Sequence, residues 1–529
     1  MNQLFFGDNL HVLREHFADE SVDLIYLDPP FKSNRDYNLL FKSPAGAKSE
    51  AQIEAFKDSW SWGDQAAREL EELLHHKNTD VAQMIHALVA FLGRNDMTAY
   101  LVMMSTRLLE MHRVLKPTGS LYLHCDSTAS HYLKVVLDAV FGFVNYRNEI
   151  IWKRSNPKSL GSINFPTCSD TIFRYSKTEN CTFHQPYAEH DPEYVESAYR
   201  YSDEKGQYRL LPLLNPNDNR PNLTYEFLGV TRVWRWTKER MKQALADGLI
   251  VQTKPGAVPQ YKKYLEDSKG RTVTNVWTDI EQAAGNESLG YPTQKPLALL
   301  ERIISTSSNE GDVVLDPFCG CGTAVHAAQK NKRNWIGIDI THLAISLIEK
   351  RLKDAFGRRC KFEVHGTPQD FAAARDLAAR DKYQFQYWAV SLVDAQPFQG
   401  KKKGADGGID GLKFFHDVDK AGARKIVVSV KGGGLKADDV RALNHVRERE
   451  AAEIALFISL DTPTKGMIAD AASAGFYTSV SGKKFPRVQL LTIEGLLSGQ
   501  QRADHPDHQP DLNFKKATAE ANAAQKSLI

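Results

Sequence analysis

The chain has 529 residues, which at roughly 100–200 residues per domain is enough for about three domains. Hydrophobic residues make up 42% and charged residues 25%, the proportions of an ordinary globular protein, and Lys and Arg number 67 against 65 Asp and Glu. This balance excludes a uniformly basic protein, so any contact with nucleic acid requires positive charge that is concentrated locally.

Two absences narrow the class of protein further. The N-terminus lacks a basic region followed by an apolar run, and no apolar stretch reaches about 18 residues, so we expect a cytoplasmic chain with no membrane partner. The six cysteines are scattered and none stands in a Cys-x-x-Cys pair. This pattern fits a reducing compartment and argues against a structural zinc site.

The first 178 residues alternate between strand and helix patterns. Residues 21–27 form a short β-rich run that ends at Asp28. Apolar residues at helical spacing predict a helix over residues 97–115, which a Lys-Pro-Thr-Gly sequence ends, and residues 120–126 then read as a buried strand. This rhythm predicts a parallel sheet with helices on both faces.

The rhythm is lost over residues 179–288 and then returns. The intervening segment is rich in Asn, Asp, Pro, Tyr and Arg, which predicts an inserted module or a long functional loop. After it, a predicted helix over residues 297–305 and a strand over residues 313–315 lead into a glycine-rich turn at residues 316–323. A further predicted strand ends at Asp339.

Three more segments complete the chain. Residues 356–385 are charged and rich in alanine, which predicts a connecting linker. A second α/β unit fills residues 386–500. The polar segment 501–529 is expected to be a flexible tail.

The glycine-rich turn (residues 316–323) has the form of a ligand site. Glycines at the carboxyl end of a strand let a ligand approach the backbone, and doubly wound sheets bind ligands at that edge. The turn lacks the lysine and hydroxyl of a P-loop and does not match the pyrophosphate-binding glycine pattern. Asp339 is placed to accept hydrogen bonds from two ribose hydroxyls. A purely structural turn is the alternative. A zinc site is not expected, because Cys319 and Cys321 have too few further metal ligands near them in the sequence.

The segment Asp28-Pro29-Pro30-Phe31 has residue types that suit the activation of an exocyclic amine on a nucleobase. The Asp28 carboxylate and the Pro29 carbonyl would accept hydrogen bonds from the amino protons, and the nitrogen lone pair would then attack a sulfonium methyl group held close by. The prolines fix the backbone, and Phe31 offers an aromatic face to an extruded base. A simple strand-to-loop turn is the alternative. No cysteine follows a proline, which argues against cytosine C5 methylation through a cysteine nucleophile.

Together, the motifs over about residues 1–355 resemble the amino-methyltransferases of restriction–modification systems, in particular the permuted β class. In that class the catalytic tetrapeptide precedes the target-recognition region and the cofactor loop, and here Asp28 precedes Asp316 by 288 residues. The resemblance implies a Rossmann-like α/β fold that uses S-adenosylmethionine, with residues 1–178 and 289–355 as its catalytic and cofactor-binding halves. The cofactor-binding residues that it implies are Asp8, Thr293, Lys295, Asp316, Phe318, Gly320, Gly322, Thr323 and Asp339.

The same resemblance implies individual roles and a target base. Asp8 would contact the adenosyl part of the cofactor, and the segment Tyr-Pro-Thr-Gln-Lys-Pro at 291–296 would close over its methionine end. The acid at position 28 resembles adenine-N6 enzymes, since cytosine-N4 enzymes more often carry Ser there. Cytosine-N4 methylation stays open as an alternative, as does a DNA-binding protein that kept the fold without catalysis.

Contacts with double-stranded DNA are expected in residues 179–288, which we interpret as the target-recognition region. Such contacts comprise phosphate pairing by basic residues and reading of base edges. Basic residues are interleaved here with Trp234 and Trp236, and the candidates are Arg232, Arg235, Lys238 and Arg240. A solvated basic face is the alternative.

In residues 386–500, a glycine-rich run at 404–411 leads into one predicted strand, and residues 426–431 form another. A hairpin would bring Asp410 beside Lys431, where the carboxylate would hold Mg²⁺ and the lysine would position or activate a water. This arrangement resembles the PD-(D/E)-x-K nucleases, closest to their Mrr-like restriction branch. However, the residue two before Lys431 is Ser429, where the family usually has Glu, Asp or Gln. A metal ligand is therefore missing or is supplied from elsewhere, by Asp406 or by Asp394. An active nuclease, a silent DNA-binding or partner-binding domain, and an unrelated α/β module therefore all remain open.

The sequence thus predicts a site-specific adenine-N6 DNA methyltransferase with a restriction-endonuclease-like C-terminal domain, in restriction–modification or phage defence. Its expected partner is double-stranded DNA. A homodimer and further restriction or defence subunits stay open, and the sequence contains no helicase or NTPase motor motif.

Overall fold

The computed structural model describes residues 2–30, 36–42, 48–57, 62–156, 163, 165–285, 287–289, 291, 293–398, 408–417, 423–506 and 517–520. The described residues form two compact units. One unit comprises Met1–His184 together with Asn275–Ile529, and the other comprises Gln185–Thr274.

A nine-stranded sheet forms the centre of the first unit within the described residues. From one edge to the other, its strands are Val276–Trp277, Tyr146–Lys153, Ser169–Ser176, Leu115–Cys125, Val22–Leu27, Val313–Asp316, Asn334–Asp339, Asn2–Phe6 and Phe362–His365. A separate two-stranded sheet pairs Asp36–Lys42 with Lys48–Lys57.

The predicted parallel sheet is observed with one exception. Ser169–Ser176 runs antiparallel to both of its neighbours, and every other pair in this sheet is parallel. Strand Leu115–Cys125 also begins directly where the preceding helix ends, and its register shifts between its pairings with Val22 and Leu24. The Lys-Pro-Thr-Gly sequence therefore lies within an irregular strand rather than in a separate turn.

Burial explains why the central strands carry so few polar residues. In Val22–Leu27 all residues except Asp23 are buried, and Val314 and Leu315 of the neighbouring strand are also buried. Strands that are covered on both faces read as nearly continuous apolar runs. These apolar runs stop at Asp28 and Asp316, which mark the ends of two adjacent central strands.

Helices pack around this sheet, and one of them shows how its sequence sets its bounds. Helix Asp96–Val114 is capped by Asn95, which forms a capping box with Thr98, and Leu101, Met104, Leu108 and Met111 at helical spacing are fully buried. The other helices of this part are Asn9–His16, Asp64–Leu74, Thr79–Leu92, Ser130–Phe141, Leu297–Ser307, Thr323–Lys330 and His342–Phe356, with short 3-10 turns at Phe143–Asn145 and Gly357–Arg359.

The second unit is a β-rich module with its own core. Trp234 is fully buried there together with Met241 and Phe227, and its indole donates to the Tyr225 carbonyl oxygen at 2.8 Å. Its strands are Tyr187–Ala188, Tyr201–Asp203, Gly206–Pro212, Thr224–Phe227, Val230–Val233, Ile250–Val251, Gln260–Tyr264 and Arg271–Thr272, and its helices are Pro192–Ala198 and Lys238–Ala246, with a 3-10 turn at Pro221–Leu223. The loss of α/β rhythm in the sequence thus reflects many short strands.

A five-stranded sheet forms the C-terminal domain. Its strands, in order across the sheet, are Gln396–Pro397, Gly411–His416, Ala423–Lys431, Ile454–Ser459 and Val488–Thr492, and a hairpin pairs Phe476–Thr478 with Lys484–Pro486. The helices are Phe371–Arg380, Lys382–Ser391, Ala437–Arg449, Lys465–Ser473 and Ile493–Leu497.

The segment 356–385, predicted to be a linker, is ordered structure. Phe362–His365 is the edge strand of the nine-stranded sheet, and Ala374, Leu377 and Phe385 lie in the hydrophobic core of the C-terminal domain. A short edge strand and a helix face of small residues give weak hydrophobic periodicity. The charge and alanine content of the segment therefore suggested a linker. Within the described part of the chain, no helix has the length and apolar run that crossing a bilayer requires.

Candidate active site

The loops that carry Asp28 and Asp316 meet at one edge of the nine-stranded sheet. Asp28 directly follows strand Val22–Leu27, and Asp316 ends strand Val313–Asp316, which pairs with it in parallel. Asp339 ends the next strand along, which pairs in parallel with the strand of Asp316. Three carboxylates that are far apart in the sequence therefore share the carboxyl edge of the sheet, where such folds bind ligands.

The glycine-rich turn joins this edge to helix Thr323–Lys330. Gly322 has a φ of +73°, and a Cβ atom there would lie 2.7 Å from Cγ1 of Ile348. Gly320 has a φ of +49°, and its missing side chain leaves room for the ring of Tyr291, 3.3 Å from the position of a Cβ. These contacts explain why both positions require glycine.

Asp339 and Asp316 both bind the backbone of this turn. The Asp339 carboxylate accepts hydrogen bonds from the Gly320 N–H at 2.9 Å and from the Thr341 N–H and hydroxyl, each at 2.9 Å. Asp316 accepts from the N–H of Phe318 at 3.1 Å. A carboxylate has about four acceptor positions, so both residues retain acceptor capacity for a ligand.

Burial and mutual repulsion shift the titration of these carboxylates. Burial raises the pKa of Asp316 well above its usual range, and the charges of Asp28 and Asp339 raise it further. Burial also raises the pKa of Asp339 to about 6, against the hydrogen bonds from Thr341 and Gly320. A cationic ligand would reduce the repulsion between these carboxylates, so these residues suit a sulfonium cofactor such as S-adenosylmethionine.

Asp28 has one engaged and one unengaged carboxylate oxygen. The ammonium group of Lys295 binds Oδ2, while Oδ1 is buried and has no hydrogen-bond partner among the residues that the structure describes. A buried acceptor without a partner is costly, and this oxygen is available to a hydrogen-bond donor from a ligand. The next two residues, Pro29 and Pro30, are described, whereas Phe31 lies outside the described residues.

Tyr291 and Lys295 together contact both loops. The ring of Tyr291 rests on Gly320, and burial raises its pKa well above the usual range. Lys295 is buried, and its Nζ contacts Asp28 and the carbonyl oxygen of Thr293, the latter at 3.4 Å. The sequence predicted cofactor contacts for Thr293 and Lys295, and the motif that contains them gave no sign that the lysine would contact Asp28.

Asp8 has protein partners in the structure. Its Oδ1 caps helix Asn9–His16 by accepting from the N–H of Leu10, and its Oδ2 pairs with the buried Arg107 at 2.8 Å. Arg107 also donates to Asn9, whose amide donates to the carbonyl oxygen of Pro317 at 2.9 Å. This chain of contacts ties the start of the helix to the glycine-rich turn. The sequence analysis did not identify Arg107, although its place on a strongly apolar helix marked it as unusual.

The basic candidates of the module Gln185–Thr274 lie on its surface. Arg232, Arg235, Lys238 and Arg240 are exposed, and the Arg240 guanidinium lies over the ring of Trp236, 4.3 Å from its centroid. Arg235 donates to the Leu214 carbonyl oxygen at 2.9 Å. Trp234, in contrast, is a core residue, so only Trp236 of the two tryptophans is accessible to a ligand.

The hairpin predicted for the C-terminal domain is present, with Gly411 opposite Val428. Asp410 lies at its start, and its Oδ1 accepts from the Gln386 amide at 2.7 Å, while its Oδ2 accepts from the Val430 N–H at 2.6 Å and the Ser429 hydroxyl at 3.2 Å. Lys431 pairs with Asp439 at 3.4 Å. Asp406 lies outside the described residues.

Of the two carboxylates at the start of the predicted hairpin, Asp406 and Asp410, the structure describes only Asp410. Mg²⁺ in proteins binds carboxylates, substrate phosphates and water in near-octahedral geometry. Each Asp410 oxygen accepts a hydrogen bond, and no group of three or more His, Cys, Asp or Glu side chains suited to a metal occurs in the described ranges. Sequence analysis missed Gln386, which precedes the predicted nuclease motif and lies on a separate helix.

Two family models match the chain. One, described as DNA methylase, matches residues 22–350, and another, described as restriction endonuclease, matches residues 377–494. Because the first match spans more than half of the chain, this chain belongs to the DNA methylase family. The second match covers the five-stranded domain and begins within helix Phe371–Arg380.

Individual relatives match over shorter shares of their length. Type II methyltransferase M.EcaI of Enterobacter cloacae is 34% identical over 266 residues, covering 49% of this chain and 58% of that protein. The Mod subunit of the type III restriction-modification enzyme StyLTI of Salmonella typhimurium is 28% identical over 348 residues, covering 62% of this chain and 49% of that protein. The chain thus spans about half the length of these curated relatives.

A solved structure of a DNA modification methylase from Thermus thermophilus, complexed with S-adenosyl-L-methionine, aligns with a TM-score of 0.34 at 18% identity. The alignment covers 70% of this chain and all of that one.

Proposed function

We propose that the chain transfers a methyl group from S-adenosylmethionine to the N6 amino group of adenine in double-stranded DNA. The observation that carries the proposal is the buried Asp28 oxygen without a partner among the described residues, beside a glycine-rich turn at the same sheet edge. Membership of the DNA methylase family supports the reaction class. The acid at position 28 favours adenine over cytosine as the target base.

The residues of the chain divide the work between them. Asp28 Oδ1 and the Pro29 carbonyl oxygen accept hydrogen bonds from the amino protons of an extruded adenine, which orients the nitrogen lone pair. Asp316 and Asp339 hold the cofactor from the opposite loop, with Asp339 accepting from ribose hydroxyls. When bound, S-adenosylmethionine supplies an electrophilic methyl group. The proton that the amine loses passes to Asp28 or to water.

Labelled methyl transfer tests this proposal. The chain is incubated with double-stranded DNA and methyl-labelled cofactor, and the DNA is digested to nucleosides. We expect the label in N6-methyladenine. Label in N4-methylcytosine would overturn the choice of base, and binding of cofactor without transfer would overturn the enzymatic role.

Lys295 is proposed to act on Asp28 rather than on the cofactor. Its ammonium neutralises one oxygen of the carboxylate, which leaves the other oriented for the substrate amine. We expect Lys295→Gln to lower kcat by about 10–100-fold, with little change in the affinity for S-adenosylhomocysteine. Isothermal titration and steady-state kinetics separate the two roles. If Lys295 binds the cofactor, its substitution would instead weaken the affinity for S-adenosylhomocysteine and leave kcat unchanged.

Cofactor affinity is expected to depend on pH through Asp339. Its pKa is raised to about 6, so the ionised acceptor form prevails at neutral pH and is lost as the pH falls. If the ribose hydroxyls require the ionised form, binding of S-adenosylhomocysteine should be roughly tenfold weaker at pH 5 than at pH 7. Asp339→Asn should bind weakly and with a smaller difference between the two pH values, because Asp316, whose pKa is also raised by burial, remains as a titrating carboxylate. An affinity of the unmodified chain that is the same at both pH values would contradict the assignment.

The module Gln185–Thr274 is proposed to read the DNA sequence. Its exposed arginines and lysine supply phosphate contacts, and the Arg240–Trp236 pair offers a stacking surface. Exchange of this module for that of a relative with another target should transfer the sequence preference, and an unchanged preference would refute the proposal. Because one relative is named a Mod subunit, a restriction subunit is a further candidate partner.

DNA cleavage by the C-terminal domain is the second candidate function, and the match to the restriction endonuclease family supports it. The residue two before Lys431 weighs against it, because Ser429 stands where this family usually has Glu, Asp or Gln. We therefore expect the chain alone to leave unmethylated plasmid intact in the presence of Mg²⁺. Cleavage that disappears in Lys431→Ala would contradict this expectation and establish the nuclease.

A further inference from the structure

The end of the described chain returns to the cofactor-binding half. Ala517 is buried, and the Glu520 N–H donates to the carbonyl oxygen of Ala355 at 2.9 Å. Arg359 donates to the carbonyl oxygen of Glu520 at 3.4 Å. Residues 517–520 therefore lie against the C-terminal end of helix His342–Phe356, although the C-terminal domain stands between them in the sequence.

The side chain of Glu520 reaches a buried histidine. Its Oε1 lies 3.0 Å from Nε2 of His326, and its Oε2 lies 3.5 Å from Nζ of Lys330. His326 is only 4% exposed and lies on helix Thr323–Lys330, which begins at the glycine-rich turn. The tail thus contacts the helix that follows the cofactor loop.

The hydrogen bonds fix which nitrogen of His326 carries the proton. Nε of Arg351 donates to Nδ1 of His326 at 3.2 Å, and a guanidinium group can only donate. Nδ1 is therefore the acceptor, and Nε2–H donates to Glu520. Burial and the charge of Arg351 lower the pKa of His326 to about 4, which agrees with a neutral ring in this tautomer.

Arg351 completes the connection to the turn. It is buried, and its Nη1 donates to the Cys321 carbonyl oxygen at 3.0 Å and to the Thr323 hydroxyl at 3.1 Å. Both acceptors belong to the glycine-rich turn. No carboxylate of the described residues pairs directly with Arg351. Arg351 is instead linked to the carboxylate of Glu520 through His326.

We propose that Glu520 and His326 are positioning residues for the cofactor loop. Glu520 holds His326 in one tautomer and orientation, His326 orients Arg351, and Arg351 fixes the turn at Cys321 and Thr323. Cofactor binding in the methyltransferase half then depends on a segment that follows the C-terminal domain. This inference rests on the proposed function, because it concerns the turn that is proposed to hold the cofactor.

The test compares two substitutions of Glu520 in the full chain. We expect Glu520→Ala to weaken the binding of S-adenosylhomocysteine about tenfold, because His326 and Arg351 lose their orientation. Glu520→Gln should weaken it only about twofold, since its amide oxygen still accepts from Nε2–H. In steady-state kinetics the KM for the cofactor should rise in step, while kcat and the KM for DNA stay unchanged.

Glu301 provides the matched control. It pairs with the same Lys330 at 2.7 Å, so Glu301→Ala removes a neighbouring acidic partner and leaves the path through His326 intact. We expect its affinity for S-adenosylhomocysteine to stay within about twofold of the unmodified chain.

A double mutant tests whether the two residues act along one path. The shorter side chain of His326→Asn can still accept from Arg351 but no longer reaches Glu520. In the His326→Asn background, Glu520→Ala should therefore add no further loss of affinity.

Equal losses in Glu301→Ala and Glu520→Ala would overturn the inference, as would a lower melting temperature of Glu520→Ala with unchanged cofactor affinity. Additive losses in the double mutant would also overturn it. An unmodified chain that does not bind S-adenosylhomocysteine would overturn the proposed function, and this inference with it.

Discussion

Replacement of Asp28 by alanine is expected to lower the rate of methyl transfer about 10³-fold or more. The substitution removes the buried oxygen that lacks a partner among the described residues, and with it the acceptor for the amino protons of the base. Lys295 then also loses its ion pair with this carboxylate. Because Asp28 lies on a different loop from Asp316 and Asp339, the carboxylates proposed to bind the cofactor, the affinity for S-adenosylhomocysteine should change by less than about threefold.

Asp126 offers a matched control for this substitution. It follows the neighbouring strand Leu115–Cys125 at the same sheet edge, but its oxygens accept from the N–H and hydroxyl of Thr128. We expect Asp126→Ala to retain transfer within about threefold, since it removes a turn contact and no acceptor for the base. Single-turnover rates of the two variants, measured with saturating DNA and labelled cofactor, make the comparison. Similar rates for Asp28→Ala and the unmodified chain would refute the catalytic assignment.

The second large effect is expected at Gly322. An alanine there must adopt a φ of +73° and place its Cβ 2.7 Å from Ile348. The backbone conformation costs about 1 kcal/mol and the overpacking a further 1–3 kcal/mol, roughly. The turn and helix His342–Phe356 must therefore separate, and we expect the affinity for S-adenosylhomocysteine to fall at least about tenfold.

A substitution at Gly311 separates the conformational cost of that prediction from its steric cost. Its φ is +87°, and apart from Gly311 itself and its two chain neighbours, no described residue has an atom within 4 Å of the position of an added Cβ. Gly311→Ala should thus carry the conformational cost alone, with a slightly lower melting temperature and unchanged cofactor affinity. If the two alanine variants lose equal affinity, the contact with Ile348 does not explain the need for glycine at position 322.

Much of the site could be predicted because its chemistry lies at strand ends. A buried apolar run followed by Asp28, another followed by Asp316, and a third ending at Asp339 are local patterns, and parallel strands place their carboxyl ends together. The pairing of the first two strands confirms that prediction. The hairpin that starts at Asp410 was predictable because its two strands, Gly411–His416 and Ala423–Lys431, follow one another in the sequence.

What the sequence did not reveal depends on partners that are distant along the chain. The sequence analysis did not predict strand Ser169–Ser176, and local periodicity does not reveal that this strand runs antiparallel to its neighbours. Trp234 stands among basic residues, which suggested a nucleic-acid surface, yet its ring fills the core of a small module. The contacts of Lys295 with Asp28, and of Glu520 with His326, join segments that carry no shared local signal.

The central claim is that the amine-binding loop at Asp28 and the cofactor-binding turn at Asp316 face one another across adjacent strands. A crystal structure of the chain with S-adenosylhomocysteine tests it most directly. We expect the cofactor to lie on the glycine-rich turn, with its ribose at Asp339 and its sulfur directed towards Asp28. A cofactor that is bound elsewhere, or whose sulfur points away from Asp28, would contradict the claim.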